Sequence, residues 1–201
     1  MKYLTRFFCG SLALLLALSI GVPHGSACVG KTLVIGSTGT VQQQVLAQLL
    51  AVLIAERTGT SVKVADFSGH AAVHEALVKA DIDMYVEYTG VGQVEILRKE
   101  AIADSDALFK AVKEVYNQDL NLIWLKPLGF ANKQEAPAGA PADAAPVVRK
   151  DTLKKFPALA RLINKLGGRI DDATIEQLEK QAAGQPPHKV ARGFLKQNRL
   201  I

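Results

Sequence analysis

The chain has 201 residues, 49% of them hydrophobic and 21% charged, with a formal net charge of +5. That length and balance suit one globular domain or two small ones, and they exclude a fibrous, disordered or polytopic membrane chain. Cys9 and Cys28 are the two cysteines, too few for a disulfide-stapled mini-protein, and the diffuse positive charge is no nucleic-acid footprint. In chain order, Lys2 and Arg6 precede an apolar run from Phe7 to Val22, which is followed by Pro23 and the small residues Gly25, Ser26 and Ala27. This is the order of a secretory signal peptide over residues 1–27, and the run is short for a membrane-spanning helix. Cleavage after Ala27 leaves 174 residues with a charge of +3 and places the mature chain in a periplasmic or other extracytoplasmic compartment. Cys28 then leads the mature chain. It is either a lipid anchor, although the usual Leu or Val three positions upstream is missing, or a free thiol in a frayed terminus.

Thr32–Ser37 is a short β-branched run between glycines and is predicted as a buried strand. After the turn Gly36-Ser37-Thr38-Gly39-Thr40, Val41, Val45, Leu49 and Val52/Leu53 recur at helical spacing up to Arg57, with Gly59 as the stop. Ser61–Phe67 is predicted as a strand, His70–Lys79 as a helix and Ile82–Tyr88 as a strand. In the last, Ile82, Met84, Val86 and Tyr88 share one face, and Asp83, Tyr85 and Glu87 the other. Strand, helix, strand, helix, strand implies parallel pairing. Helices are expected at Gly92–Lys99 and Ser105–Gln118 and a strand at Leu120–Leu125. Glu135–Pro146, rich in Ala and Pro, is predicted as an extended linker between an N-terminal part (28–134) and a C-terminal part (147–201). Four helical segments are expected beyond it. Asp151 caps the first and Pro157 opens the next, which Gly167-Gly168 stops; Asp171/Asp172 and Pro186-Pro187 start the others.

Three features could carry chemistry. The turn at Thr38, Gly39 and Thr40 follows a strand and opens a helix, so its free N–H groups suit an anion; it matches no nucleotide-binding motif, and a plain capped turn is the alternative. Tyr88 and Thr89 end a predicted parallel strand on the same rim, where ligands of open α/β sheets bind. An aromatic face there suits a quaternary ammonium, with half-buried packing as the alternative. His70 and His74, one helical turn apart, could share a metal but lack a third ligand, and two solvent-side or helix-start histidines are the plainer reading; His70 also lies near the rim. No hydrolase or metalloprotease motif is present, so the sequence implies no enzyme, no cofactor and no metal.

VIGSTGT at 34–40, AERTG at 55–59, the block at 68–92 containing IDMYVEYTG, WLKPLGFAN at 124–132 and the C-terminal blocks over 146–200 resemble one family. It is the extracytoplasmic substrate-binding proteins of ABC importers for quaternary amines such as glycine betaine, choline and carnitine. The resemblance implies a type II periplasmic-binding-protein fold, here reduced to a single α/β lobe with a mixed, mostly parallel sheet flanked by helices. Family members hold the ligand between two lobes, and here the second lobe is replaced by residues 135–146. It also implies Tyr88 as one wall of an aromatic cage, with Thr38, Gly39, Thr40, His70 and Thr89 beside it. This chain departs from the family at Thr38, where some members have lysine, and at Val91, where the family has threonine. The implied partners are a quaternary amine, an ABC permease, and a second copy or a second-lobe protein to complete the site. The competing expectation is an exported interaction or regulatory module that docks on the permease and has lost solute binding.

Overall fold

The computed structural model describes residues 32–201, so the expected leader and Cys28 lie outside the described residues. Five strands form one sheet: β1 (Leu33–Ser37), β2 (Val62–Asp66), β3 (Met84–Tyr88), β4 (Leu122–Trp124) and β5 (Ala144–Arg149), in the order β2-β1-β3-β5-β4. The pairings of β1 with β2 and β3 are parallel, and β5 runs antiparallel to both β3 and β4. The helices are α1 (Val41–Thr58), α2 (His70–Val78), α3 (Ser105–Asp119), α4 (Lys150–Lys155), α5 (Leu159–Ile163), α6 (Asp172–Ala182) and α7 (Pro187–Gln197).

The sheet is buried on both faces. Leu33, Ile35, Met84, Val86 and Tyr88 join α1, α5, α6 and α7 in one core. Tyr85, Ala145, Val147 and Trp124 join α2 and α3 in the other. The alternation read from Ile82–Tyr88 holds from Met84 onward, with Met84, Val86 and Tyr88 in one core and Tyr85 in the other, as expected of a strand covered by helices on both sides, whereas Ile82, just before β3, packs with Tyr85 and not with Met84. The sequence presents α1 as having one apolar stripe. In fact Gln43 and every residue from Val45 to Ile54 except Gln48 are buried, whereas Val41, counted in the stripe, is 47% exposed. The cause is position: α1 lies between the sheet and three C-terminal helices, and a helix sandwiched in this way is apolar nearly all round. Gly59 ends α1 at φ 68°, a left-handed conformation that suits glycine.

Other boundaries need correction. The helix expected over 92–99 is a π-helical turn at Val91–Ile96. Asp151 lies inside α4, whose cap position is Arg149, whereas Asp171 caps α6 as expected by accepting from the Thr174 N–H.

The largest correction concerns Glu135–Pro146. The expected linker ends early, because Ala144, Ala145 and Pro146 already belong to β5, against β3. The Ala140, Ala142, Ala144 and Ala145 side chains are buried. Before β5, Leu128 N–H donates to Ala144 O, Ala144 N–H to Phe130 O and Asn132 N–H to Ala142 O, so 128–132 and 142–146 form an antiparallel ribbon with 133–141 as its tip. Pro146 is tolerated in an inner strand because its carbonyl faces β4, where it accepts from Leu125 N–H. The missing donor therefore faces that side too, past the last paired residue of β4, and the β3 ladder loses nothing.

Candidate functional site

β1 and β3 are neighbours, with α1 following one and α2 preceding the other on opposite faces of the sheet. Their C-terminal ends bring the Thr38–Thr40 turn, His70, Tyr88 and Thr89 towards one rim, the usual ligand position in such sheets. Thr40 caps α1, its Oγ1 accepting from Gln43 N–H at 3.2 Å. Gly39 takes φ 83° and donates its N–H to Ser37 Oγ. Thr38 Oγ1 is buried and unpartnered.

Tyr88 sits at the end of β3 and is 0% exposed. Its hydroxyl donates to Gln42 Oε1, which also accepts from Asn132 Nδ2 at 3.1 Å, while Gln42 Nε2 donates to Glu179 at 3.2 Å. Burial pushes the Tyr88 phenol well above its ordinary pKa, so it remains a neutral donor. Beside it Gln43, 1% exposed, leaves both amide atoms without partners. Outside this cluster a cleft of about 280 Å³ opens between the 130–134 stretch and α6, with Gln42, Phe130, Asn132, Asp172, Glu176 and Glu179 on its walls.

His70 opens α2. Its Nδ1 lies 2.7 Å from Glu87 Oε1, its Nε2 lies 3.4 Å from Glu135 Oε2, and its ring centroid is 5.6 Å from that of Tyr88. Burial pulls the His70 pKa down, but its contact with Glu87 and the charges of Glu87, Glu135 and Glu95 outweigh that and raise it above 6.5. Glu87 is 0% exposed, and it accepts from Tyr88 N–H at 2.8 Å and Tyr85 hydroxyl at 3.1 Å, while His70 Nδ1 lies close to it without the alignment of a hydrogen bond. The Tyr85 hydroxyl has spent its proton on Glu87, so its 3.2 Å contact with His74 Nδ1 requires the proton on that nitrogen. Burial lowers the His74 pKa, consistent with a neutral ring.

The two histidines therefore flank a buried Tyr85–Glu87 pair instead of sharing a metal. Among the described residues no group of three or more His, Cys, Asp or Glu side chains could hold a metal ion. Thr89 Oγ1 donates to Pro141 O at 3.3 Å and accepts from Asp143 N–H at 3.0 Å, so it anchors the ribbon. Sequence reasoning missed Gln42, Gln43, Glu87, Asn132 and Glu135 as members of this cluster. Only Glu87 carried a signal: a carboxylate within a strand covered on both faces must find a partner, and His70 was the cation within reach.

A family model described as "Substrate binding domain of ABC-type glycine betaine transport system" (OpuAC) matches residues 31–138 and 135–197. The carnitine transport binding protein OpuCC of Listeria monocytogenes is 29% identical over 166 residues, 79% of this chain and 51% of that protein. The ergothioneine transport permease/ergothioneine binding protein EgtU of Helicobacter pylori is 32% identical over 123 residues, 60% of this chain and 22% of that protein. The chain thus spans about half the length, or less, of these curated relatives. Among solved structures, a glycine betaine/carnitine/choline ABC transporter protein superposes with a TM-score of 0.78 at 17% identity, covering 85% of this chain and 99% of that one. Apo YehZ of Escherichia coli gives 0.73 at 17% identity, covering 86% and 100%. At these identities the structures establish the fold.

Proposed function

The chain belongs to the family of substrate-binding domains of ABC-type glycine betaine transport systems, and from that premise we propose that it is an extracytoplasmic solute-binding component for a quaternary amine, reduced to one lobe. The observation that carries this reading is the family match over residues 31–138 and 135–197, with Tyr88 at the C-terminal end of β3, where ligands of such sheets bind. An aromatic ring at that place suits a cation that cannot donate hydrogen bonds once the ring is uncovered. The relative named as a carnitine-binding protein and another named as a glycine-betaine-binding protein of Pseudomonas aeruginosa, 39% identical over 61 residues, support the solute class.

Magnitude limits what one lobe does alone. A cation–π contact contributes about 0.5–2 kcal/mol, whereas millimolar affinity needs about 4 kcal/mol. Tight binding therefore requires a second wall, supplied by another copy of the chain or a separate lobe, and delivery requires a permease.

The second reading is an exported docking module that has lost solute binding. The full burial of Tyr88 favours it, because a ring without exposed surface offers no face to a cation. Calorimetric titration of the mature protein with glycine betaine, choline and carnitine separates the two. Heat of binding in the millimolar range, weakened several-fold by Tyr88→Ala, supports the first. Absence of heat with all three amines, with or without permease, leaves the second.

A further inference from the structure

The 133–141 tip does not hang free. A Cβ placed on Gly90, just after β3, would run into Pro141 O and Pro137 Cδ, so the tip is seated on the chain immediately beyond Tyr88 and Thr89. Three kinds of contact hold it. Asn132 Oδ1 turns it by accepting from Gln134 N–H at 2.9 Å and Glu135 N–H at 3.2 Å. Thr89 anchors its far end through Pro141 and Asp143. In the middle, Glu135 reaches His70, whose other nitrogen is against Glu87.

We propose that residues 133–141 are a strap that closes this lobe's own rim, and that His70, clamped between Glu87 and Glu135, holds the strap shut in acid and releases it in alkali. The charged groups facing His70 are Glu87 from β3, Glu135 from the strap and Glu95 from the π-helical turn, all of them acidic. The doubly protonated ring, a cation, is attracted to both close carboxylates at once. When it loses one proton, the remaining one stays on Nδ1, because Glu87 is nearer, at 2.7 Å against 3.4 Å, and fully buried, so it has no water to turn to. Nε2 then presents a lone pair to Glu135, and attraction becomes repulsion. The strand-side contact survives and the strap-side contact fails, so the strap lifts about its Thr89 anchor. The sign follows from the raised pKa of His70: the latch is complete below 6.5 and is lost as pH rises through the raised value. That the opened rim admits a solute rests on the reading above; the latch itself does not.

Hydrogen exchange of the full chain, corrected for intrinsic rates and compared at pH 6 and pH 9, tests the latch. The Glu135 and Ala140 amides are the reporters, and the Asp143 amide at the Thr89 anchor and α3 are the internal controls. Expected is exchange at least ten-fold faster at pH 9 in these two amides, with the controls unchanged. In Glu135→Gln, a partly exposed position where folding is not at risk, the reporters exchange fast at both pH values. Equal protection at both pH values, or wild-type protection in Glu135→Gln, overturns the proposal. Glycine betaine titrations on the same samples separate the two readings. A strap that opens without solute binding at either pH sinks the solute reading and leaves the latch, and pH-independent binding under an immobile strap does the reverse.

Discussion

Tyr88 shows how one side chain serves packing and polarity together. Its ring belongs to the larger core, while its hydroxyl meets Gln42 Oε1, the oxygen that also receives Asn132. Tyr88→Phe keeps the ring and removes one donor from an oxygen that retains another. The expected cost is about 1 kcal/mol of stability, read as a lower urea midpoint at unchanged slope. An unchanged midpoint would mean that the hydroxyl contributes nothing to holding Gln42. Glu87 is the opposite case. It gathers His70, the Tyr85 hydroxyl and the Tyr88 N–H because burial takes water away from a carboxylate and leaves protein groups as its partners. The place of Tyr88 at the rim was legible because it ends an alternating strand. Gln42 and Asn132 were not, because nothing in a sequence brings position 42 to position 132.

At the scale of elements, close approach decides much of the architecture. Gly36 lies in β1 where a Cβ would press into the Val73 and Ile82 side chains, so α2 and the start of β3 crowd the middle of that strand. Gly36→Ala is expected to cost about 1–3 kcal/mol through overpacking, measured as a fall in unfolding free energy. A loss below a few tenths would show that Val73 and Ile82 yield freely. The order of strands and helices up to β4 was legible, because periods of 2 and 3.6 and glycine stops are local properties. The π-helical turn was not: it brings Gly92 so near Trp124 and the Tyr116 hydroxyl, residues distant in sequence, that a Cβ there would press into the indole. Nor was β5 legible. Alanines and prolines have low strand propensity, and they become a strand here because small side chains fit between β3 and the helices.

For the whole molecule, the two histidines of α2 set opposite limits on pH stability. The raised pKa of His70 gives stability that is complete below 6.5 and lost as pH rises past the raised value. The lowered pKa of His74 means that the unfolded chain binds its proton first, so stability falls as pH drops through 6.5 and levels off below the lowered value. The melting temperature is therefore expected to pass through a maximum near neutrality, and His74→Gln should flatten the acid side while leaving the alkaline side. A monotonic profile in the wild type would mean that neither environment persists in solution.

The sequence by itself determined the α/β pattern, the caps of α1 and α6 and the glycine stop of α1, the family and the rim to which Tyr88 belongs. All of these rest on local periodicity or on short blocks of residues. Tertiary structure alone decided that the Ala/Pro stretch turns back as a ribbon and strand, that His70 and His74 serve a buried Glu87, and that Tyr88 is covered. Those outcomes depend on which groups remain without water once the sheet and helices close, and that balance of burial against pairing exists only when residues far apart in the chain meet.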